Sequence, residues 1–288
     1  MNPIMIIADI EGRSQVALRR GMQLAGALNA PVEVVGFVYE YISELSAGVQ
    51  KQFKEQLLAE KQAWLESEVE RQAPPGLKVK TRVVWEKSIH LWVNKRCDKR
   101  EYYAVIKTAH RSGNFLYTST DWHLLRSCPS PVLIEAEKKW NKARPVVAAL
   151  DLGTRHKSKQ RLNEKIMERA LEIANATESE VCVVCALTVP TLLKDMDIID
   201  VDEHLMKRKA ELKPAIEQLC ERYGLRRRQV YMKAGSPRKV IPSLANKLKA
   251  DLLVMGTVGR KGIRGKLMGN TAEQLLQHLR TDVLAIKR

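Results

Sequence analysis

A chain of 288 residues, 45% apolar and 28% charged, holds one large or two ordinary globular domains and is too apolar to be disordered. No apolar run approaches the roughly 20 residues of a membrane span, and a net charge of +16 directs attention to anionic partners. The basic excess lies in the second half: residues 1–140 carry 20 Lys and Arg against 16 Asp and Glu, residues 141–288 carry 29 against 17.

Taken in order, Pro3 to Ala8 is a short apolar run ending at Asp9, without a charged leader before it, so no targeting segment is expected. Val16, Leu18, Met22, Leu24, Ala25 and Leu28 follow at helical spacing, then Val32 to Val38 reads as a second strand. A long helix carries Val49, Phe53, Leu57, Trp64, Leu65 and Val69 on one stripe, and Pro74-Pro75-Gly76 stops it. Lys78 to Val84 is strand three. Ser88 is placed to cap the helix bearing Ile89, Trp92 and Val93, and Tyr103 to Ile106 is strand four. Leu124 and Leu125 sit on the last helix, before strand five at Pro131 to Glu135.

The pattern then restarts. Arg144 to Asp151 repeats the first strand and its terminal aspartate, followed by a helix with Ile166, Ala170, Leu171 and Ala174 and a strand at Val181 to Leu187. Leu205, Leu212, Ile216, Leu219 and Tyr223 form another stripe, interrupted by Pro214, which lacks a backbone donor. Gln229 to Met232 is the third strand, Ser236-Pro237 starts a helix, and strands at 251–256 and 282–287 complete the unit. Two β-α-β-α-β-α-β-α-β units, joined near Glu137 to Ala143, account for nearly every residue.

Alternation of this kind predicts parallel sheets covered on both faces, with right-handed crossovers. Ligands of such doubly wound α/β sheets bind beyond the carboxyl ends of the strands, where the order reverses. For an order of 3-2-1-4-5 the reversal lies between strands one and four. In the second half those strands end at Asp151 and Gly256.

That end carries the most pointed motif of the chain, DLLVMGTVGRKGIRGKLMGNT from Asp251 to Thr271. Gly256, Gly259 and Gly269 let backbone N–H groups approach a ligand, and the helix predicted from Asn270-Thr271 offers unpaired donors to an anion. Arg260, Lys261, Arg264 and Lys266 add four cations. Glycine turns are also common in α/β proteins and basic loops are often only solvated. No Gly-Lys-Ser/Thr closes the loop, so it is not a Walker A sequence.

The spacing Gly256-x2-Gly259-x9-Gly269, closed by Asn270-Thr271-Ala272-Glu273, resembles the nucleotide loop of the universal stress protein family, and most of all its tandem, E-type members. The stretch Thr120 to Arg126 resembles the same group. The resemblance covers the whole chain and implies two five-stranded domains of adenine nucleotide alpha hydrolase-like fold, 1–138 and 144–288, forming an internal pseudo-dimer; a further homodimer stays open. It implies an adenine nucleotide, ATP or AMP with or without Mg2+, bound in the second domain as a stress-linked, non-catalytic sensor. Asp151 would contact the base or ribose, Ala186 and Met255 would frame the adenine, and Gly256, Gly259, Gly269, Asn270 and Thr271 would hold ribose and phosphates. Aligning the halves at strand four sets Lys107 to His110 against Gly256 to Gly259, which removes the glycines and predicts a degenerate first site. A carrier of a larger phosphate-containing or lipid-like ligand held between the domains, and a slow ATPase, remain alternatives.

Other residues invite weaker readings. Cys182-x-x-Cys185 falls within a strand, where residues three apart face opposite sides, so the thiols are expected to be structural. Five cysteines in loose spacing favour a reducing compartment and a cytoplasmic protein. His110, His123 and Asp121 lack metal-ligand spacing, and Asp121 suits a helix N-terminus. Trp64 and Trp92 read as core. Arg226-Arg227-Arg228 reads as solvated surface, with no nucleic-acid motif beside it.

Overall fold

A computed structural model describes residues 1–109, 119–136, 140–141, 144–188, 201–257 and 281–287, the side chains of 201, 202 and 204 excepted. The chain divides into two units, Met1–Glu137 and Lys138–Arg288.

The first unit runs β1 (Ile4–Ile7), α1 (Val16–Leu28), β2 (Val32–Val38), α2 (Ala47–Gln72), β3 (Val79–Trp85), α3 (Ile89–Lys99), β4 (Ala104–Thr108), α4 (Ser119–Ser127) and β5 (Val132–Glu135). Its strands pair in parallel in the order β3-β2-β1-β4-β5. β1, β4 and β5 are buried along their whole length, as strands covered on both faces must be. Glu33 is a carboxylate inside β2, tolerable only if paired. Arg96 Nη2 donates to both of its oxygens, at 3.0 and 3.1 Å, and Tyr102 donates to it at 2.5 Å. Burial, with Glu33 beside it, pushes the Tyr102 phenol up to about 12.

The second unit runs β6 (Val146–Ala149), α5 (Lys157–Ala176), β7 (Val181–Leu187), α6 (Val201–Tyr223), β8 (Val230–Ala234), α7 (Pro237–Lys247), β9 (Leu252–Gly256) and β10 (Asp282–Ile286). The order β8-β7-β6-β9-β10 is again parallel, so both units have the 3-2-1-4-5 arrangement. Residues before β6 are fastened at the strand ends away from the site: Trp140 Nε1 donates to Asp282 at 2.6 Å, and Arg144 pairs with Asp251 at 3.3 Å.

Several local expectations change. Only Leu65 and Val69 of the α2 stripe are buried; Val49 is 50% exposed and Phe53 also lies at the surface, because α2 extends past the part that covers the sheet. Trp64 and Trp92, both expected in the core, are only half-buried, Trp92 packing edge-on against Phe37 at 5.4 Å. Ser88 and Ser236 occupy N-cap positions, but neither side chain makes a capping hydrogen bond. Among the described residues no helix is long and apolar enough to cross a membrane.

Candidate functional site

In the second unit β6 runs out at Ala149, and Leu150 stays tied to the sheet through its N–H to the Val184 carbonyl at 3.0 Å. The next residue, Asp151, is fixed by Asn163 of α5: its N–H donates to Asn163 Oδ1 at 3.2 Å, and Asn163 Nδ2 donates to its carbonyl at 2.9 Å. The backbone is therefore held while the carboxylate, 54% exposed, points outward and meets Lys159 Nζ at 3.0 Å.

Beyond the ends of β6 and β7 lies a cavity of about 320 Å³. Asp151, Gly153, Thr154, Arg155, His156 and Lys159 form one wall, the end of β7 from Cys185 to Leu187 with the following Thr188 another, and Arg208 and Leu212 of α6 the third. Gly153 lies beneath α6, where a Cβ would stand 2.9 Å from Arg208 Nη2. The first turn of α5 has no acidic residue and no side-chain cap. The positive end of α5 and the cations Arg155, Lys159 and Arg208 make the rim suited to an anion. A second cavity of about 350 Å³ shares Asp151 and Thr154 but opens between α5 and α6, past the Arg222–Glu164 ion pair of 2.6 Å.

Of the residues singled out in the sequence, Asp151 and Ala186 share the first cavity. Met255 is buried at the end of β9, beside β6, and is not among the residues lining that cavity. Gly256 packs under α5, where a Cβ would come within 2.5 Å of Leu162 Cδ2. Gly259, Gly269, Asn270 and Thr271, with Arg260, Lys261, Arg264 and Lys266, lie outside the described residues, as does His110. Arg155, His156, Lys159 and Arg208 were not signalled by any motif, since isolated basic residues at a turn and on a helix read as solvated surface.

The family model of the universal stress proteins matches residues 1–134 and again 144–287. The chain belongs to the universal stress protein family. It is 29% identical to universal stress protein E of Escherichia coli K12, over 99% of this chain and 93% of that protein. It is 24% identical to the universal stress protein E homolog of Haemophilus influenzae, over 99% and 96%. The crystal structure of a protein from Pseudomonas aeruginosa PAO1, 25% identical, superposes over 99% of this chain and 92% of its own with a TM-score of 0.73. A universal stress protein from Archaeoglobus fulgidus, 16% identical, superposes over 100% and 96% with a TM-score of 0.64 and shares the fold.

The two universal stress units handle their strand-end aspartates differently. Gln15 clamps Asp9 as Asn163 clamps Asp151: Asp9 N–H donates to Gln15 Oε1 at 3.1 Å, and Gln15 Nε2 donates to the Asp9 carbonyl at 3.3 Å. Strand register then corrects the alignment at strand four. Ile4 lies opposite Ala104 and Val146 opposite Leu252, which makes Thr108, not Lys107, the counterpart of Gly256. The Thr108 hydroxyl donates to Asp9 Oδ2 at 2.7 Å and accepts from Ala17 N–H at 2.9 Å, and Asp9 is only 5% exposed. Lys107 in turn pairs with buried Asp121 at 2.8 Å and donates to the Thr108 carbonyl at 2.9 Å. His123 stacks on His90 instead of joining Asp121. In the first unit the groups at the strand ends bind one another.

Cys182 and Cys185 are both buried in β7, and burial pushes both thiols up, Cys182 to about 11. Among the described residues no cluster of His, Cys, Asp or Glu is suited to a metal ion.

Proposed function

We propose that the protein binds an adenine nucleotide, ATP or AMP, in the second unit alone, and acts in the stress response as a sensor or regulator through that bound state. The observation carrying this reading is the cavity beyond β6 and β7, where the exposed Asp151, paired with Lys159, shares the space with Arg155 and Arg208. Its volume falls at the lower end of the usual range for small-molecule sites. In this reading Asp151 accepts a hydrogen bond from the ribose or the adenine amino group, the β7 end at Ala186 flanks the base, and the cations and the α5 N-terminus meet phosphate charge. Met255 has a packing role next to β6 and frames the base only through the strand it belongs to. Gly259, Gly269, Asn270 and Thr271 supply phosphate contacts on the strength of their sequence pattern.

Calorimetric titration of the full chain with ATP and with AMP tests the proposal. One site per chain is expected, weakened more than about tenfold by Asp151→Ala, or roughly 1.4 kcal/mol, and unaffected by Asp9→Asn where the variant folds. Two equivalent sites, or binding indifferent to Asp151, would overturn it.

A further inference from the structure

The α3–α4 interface of the first unit places two thiols against each other, far along the chain from any residue of the cavity. His90, Asn94 and Cys97 form one stripe of α3 at helical spacing. His90 stacks on His123 at 4.2 Å, Asn94 Nδ2 donates to Ser127 Oγ at 2.7 Å, and Cys128 Sγ donates to Cys97 Sγ at 3.7 Å. Both cysteines are buried, Cys97 at 5% exposure and Cys128 at 0%, and neither is in a disulfide. We propose that Cys97 and Cys128 form a redox-reactive dithiol that small hydroperoxides convert to a disulfide, fastening α3 to the end of α4.

The two sulfurs are in contact. A disulfide needs the sulfurs at about 2.05 Å, so the pair must close from 3.7 Å. Exposure assigns the roles: Cys97, 5% exposed against 0% for Cys128, is the thiol a small oxidant reaches first, so it is the nucleophile and Cys128 resolves. The hydrogen bond from Cys128 holds the Cys97 thiol below the ordinary cysteine range against the opposing effect of burial, with Ser130 assisting. Low thiol pKa raises the reactive thiolate fraction. Cys182 and Cys185, pushed up by burial, lack this activation.

The chemistry balances. Cys97 thiolate attacks one peroxide oxygen, the O–O bond breaks, and the leaving hydroxide takes the thiol proton as water, leaving Cys97 as a sulfenic acid. Cys128 sulfur then attacks the sulfenic sulfur. The second hydroxide leaves with the Cys128 proton, so two thiols and one hydrogen peroxide give one disulfide and two waters. Burial limits the oxidant to a small molecule. The separation of 31 residues between the thiols means the product also closes a loop that includes β4 and its Lys107.

The test uses the full reduced chain treated with stoichiometric hydrogen peroxide. The expected product is two hydrogens lighter by intact mass, shows three thiols in place of five after denaturation, and yields a linked peptide containing Cys97 and Cys128. In Cys128→Ala the sulfenic acid should accumulate at Cys97 and be captured by a 1,3-dione. Persistence of both thiols while Cys220 oxidises would overturn the proposal, as would a Cys97–Cys128 link that forms only when the chain is denatured first. If a variant fails to fold, as read by circular dichroism, the wild-type peptide map decides alone.

Discussion

Asn163 holds Asp151 by both of its backbone polar groups, at 3.2 and 2.9 Å, and leaves the carboxylate unconstrained by the clamp. Gln15 does the same for Asp9 from the N-cap position of α1. The clamps are equivalent but the spacings are not: six residues separate Asp9 from Gln15, and twelve separate Asp151 from Asn163. With 20 residues against 13, α5 is longer than α1 by about two turns. That extension delivers Lys159 to Asp151, Leu162 to Gly256, and the Arg155–His156 turn to the cavity rim.

Replacing Asn163 by Leu should therefore act on binding through Asp151. The substitution keeps bulk and removes two hydrogen bonds that are partly open to solvent, so stability should fall by only about 1 kcal/mol. Nucleotide affinity measured by calorimetry should fall about tenfold, because the backbone that carries the carboxylate loses its fixed position. Gln15→Leu in the first unit should lower thermal stability by a similar or larger amount and leave nucleotide affinity unchanged. Equal losses of affinity from both variants would refute the division of labour between the units.

The Lys107–Asp121 pair offers a test of why the first unit is closed. Both side chains are almost fully buried, and their ends meet at 2.8 Å. Removing one member of a buried pair leaves the other charge badly solvated and costs roughly 3–5 kcal/mol. Lys107→Met should thus be strongly destabilising in denaturant unfolding, while Lys107→Met with Asp121→Leu should recover most of the loss. A double variant no better than the single one would show that Asp121 is held chiefly by other partners.

The architecture of each unit was legible because strands and helices alternate with clear periodicity, and a parallel order then follows from crossover rules. Leu252–Gly256 and its aspartate-ended neighbour were found for the same reason. The alignment of the halves slipped by one residue at strand four, since Lys107 and Thr108 are equally unlike Gly256 in type; only pairing register distinguishes them. The cationic rim was illegible because Arg155, Lys159 and Arg208 converge only through the lengthened α5 and the approach of α6. Phe53 and Val49 misled in the other direction: a helical apolar stripe does not reveal where the covering sheet ends.

The stacked histidines give the first unit a pH dependence with a defined sign. Partial burial, and the charge of His123 next to it, lower the pKa of His90 below the ordinary imidazole value. The unfolded chain therefore binds this proton more readily than the folded one, and stability rises with pH in that range. Stability contributed by keeping His90 neutral is complete above about pH 6.5 and is lost as pH falls toward the lowered folded value. Thermal unfolding followed from pH 7.5 to 5.5 should show a falling midpoint, and His90→Gln should flatten that slope. An unchanged slope in the variant would assign the dependence to other groups.

Gly256 carries two possible duties, and a pair of variants separates them. Its place on β9, between β6 and β10, sets it directly beneath α5, where a Cβ would lie 2.5 Å from Leu162 Cδ2 and 3.1 Å from Leu162 Cγ. Leu162 is itself buried, with Ile166 Cδ1 3.5 Å from the same point, so it has little room to turn away. Gly256→Ala should overpack the contact and cost about 1–3 kcal/mol. Shortening the neighbour in Gly256→Ala with Leu162→Ala removes the clash, and the thermal midpoint should rise above that of Leu162→Ala alone because the new methyl fills part of the cavity. Nucleotide titration of this double variant then reads the ligand duty by itself. Affinity weakened more than about tenfold, roughly 1.4 kcal/mol, in a chain whose folding is restored would mean that the bound phosphates approach the Gly256 backbone closely. Unchanged affinity would confine Gly256 to packing and leave the approach to Gly259 and Gly269.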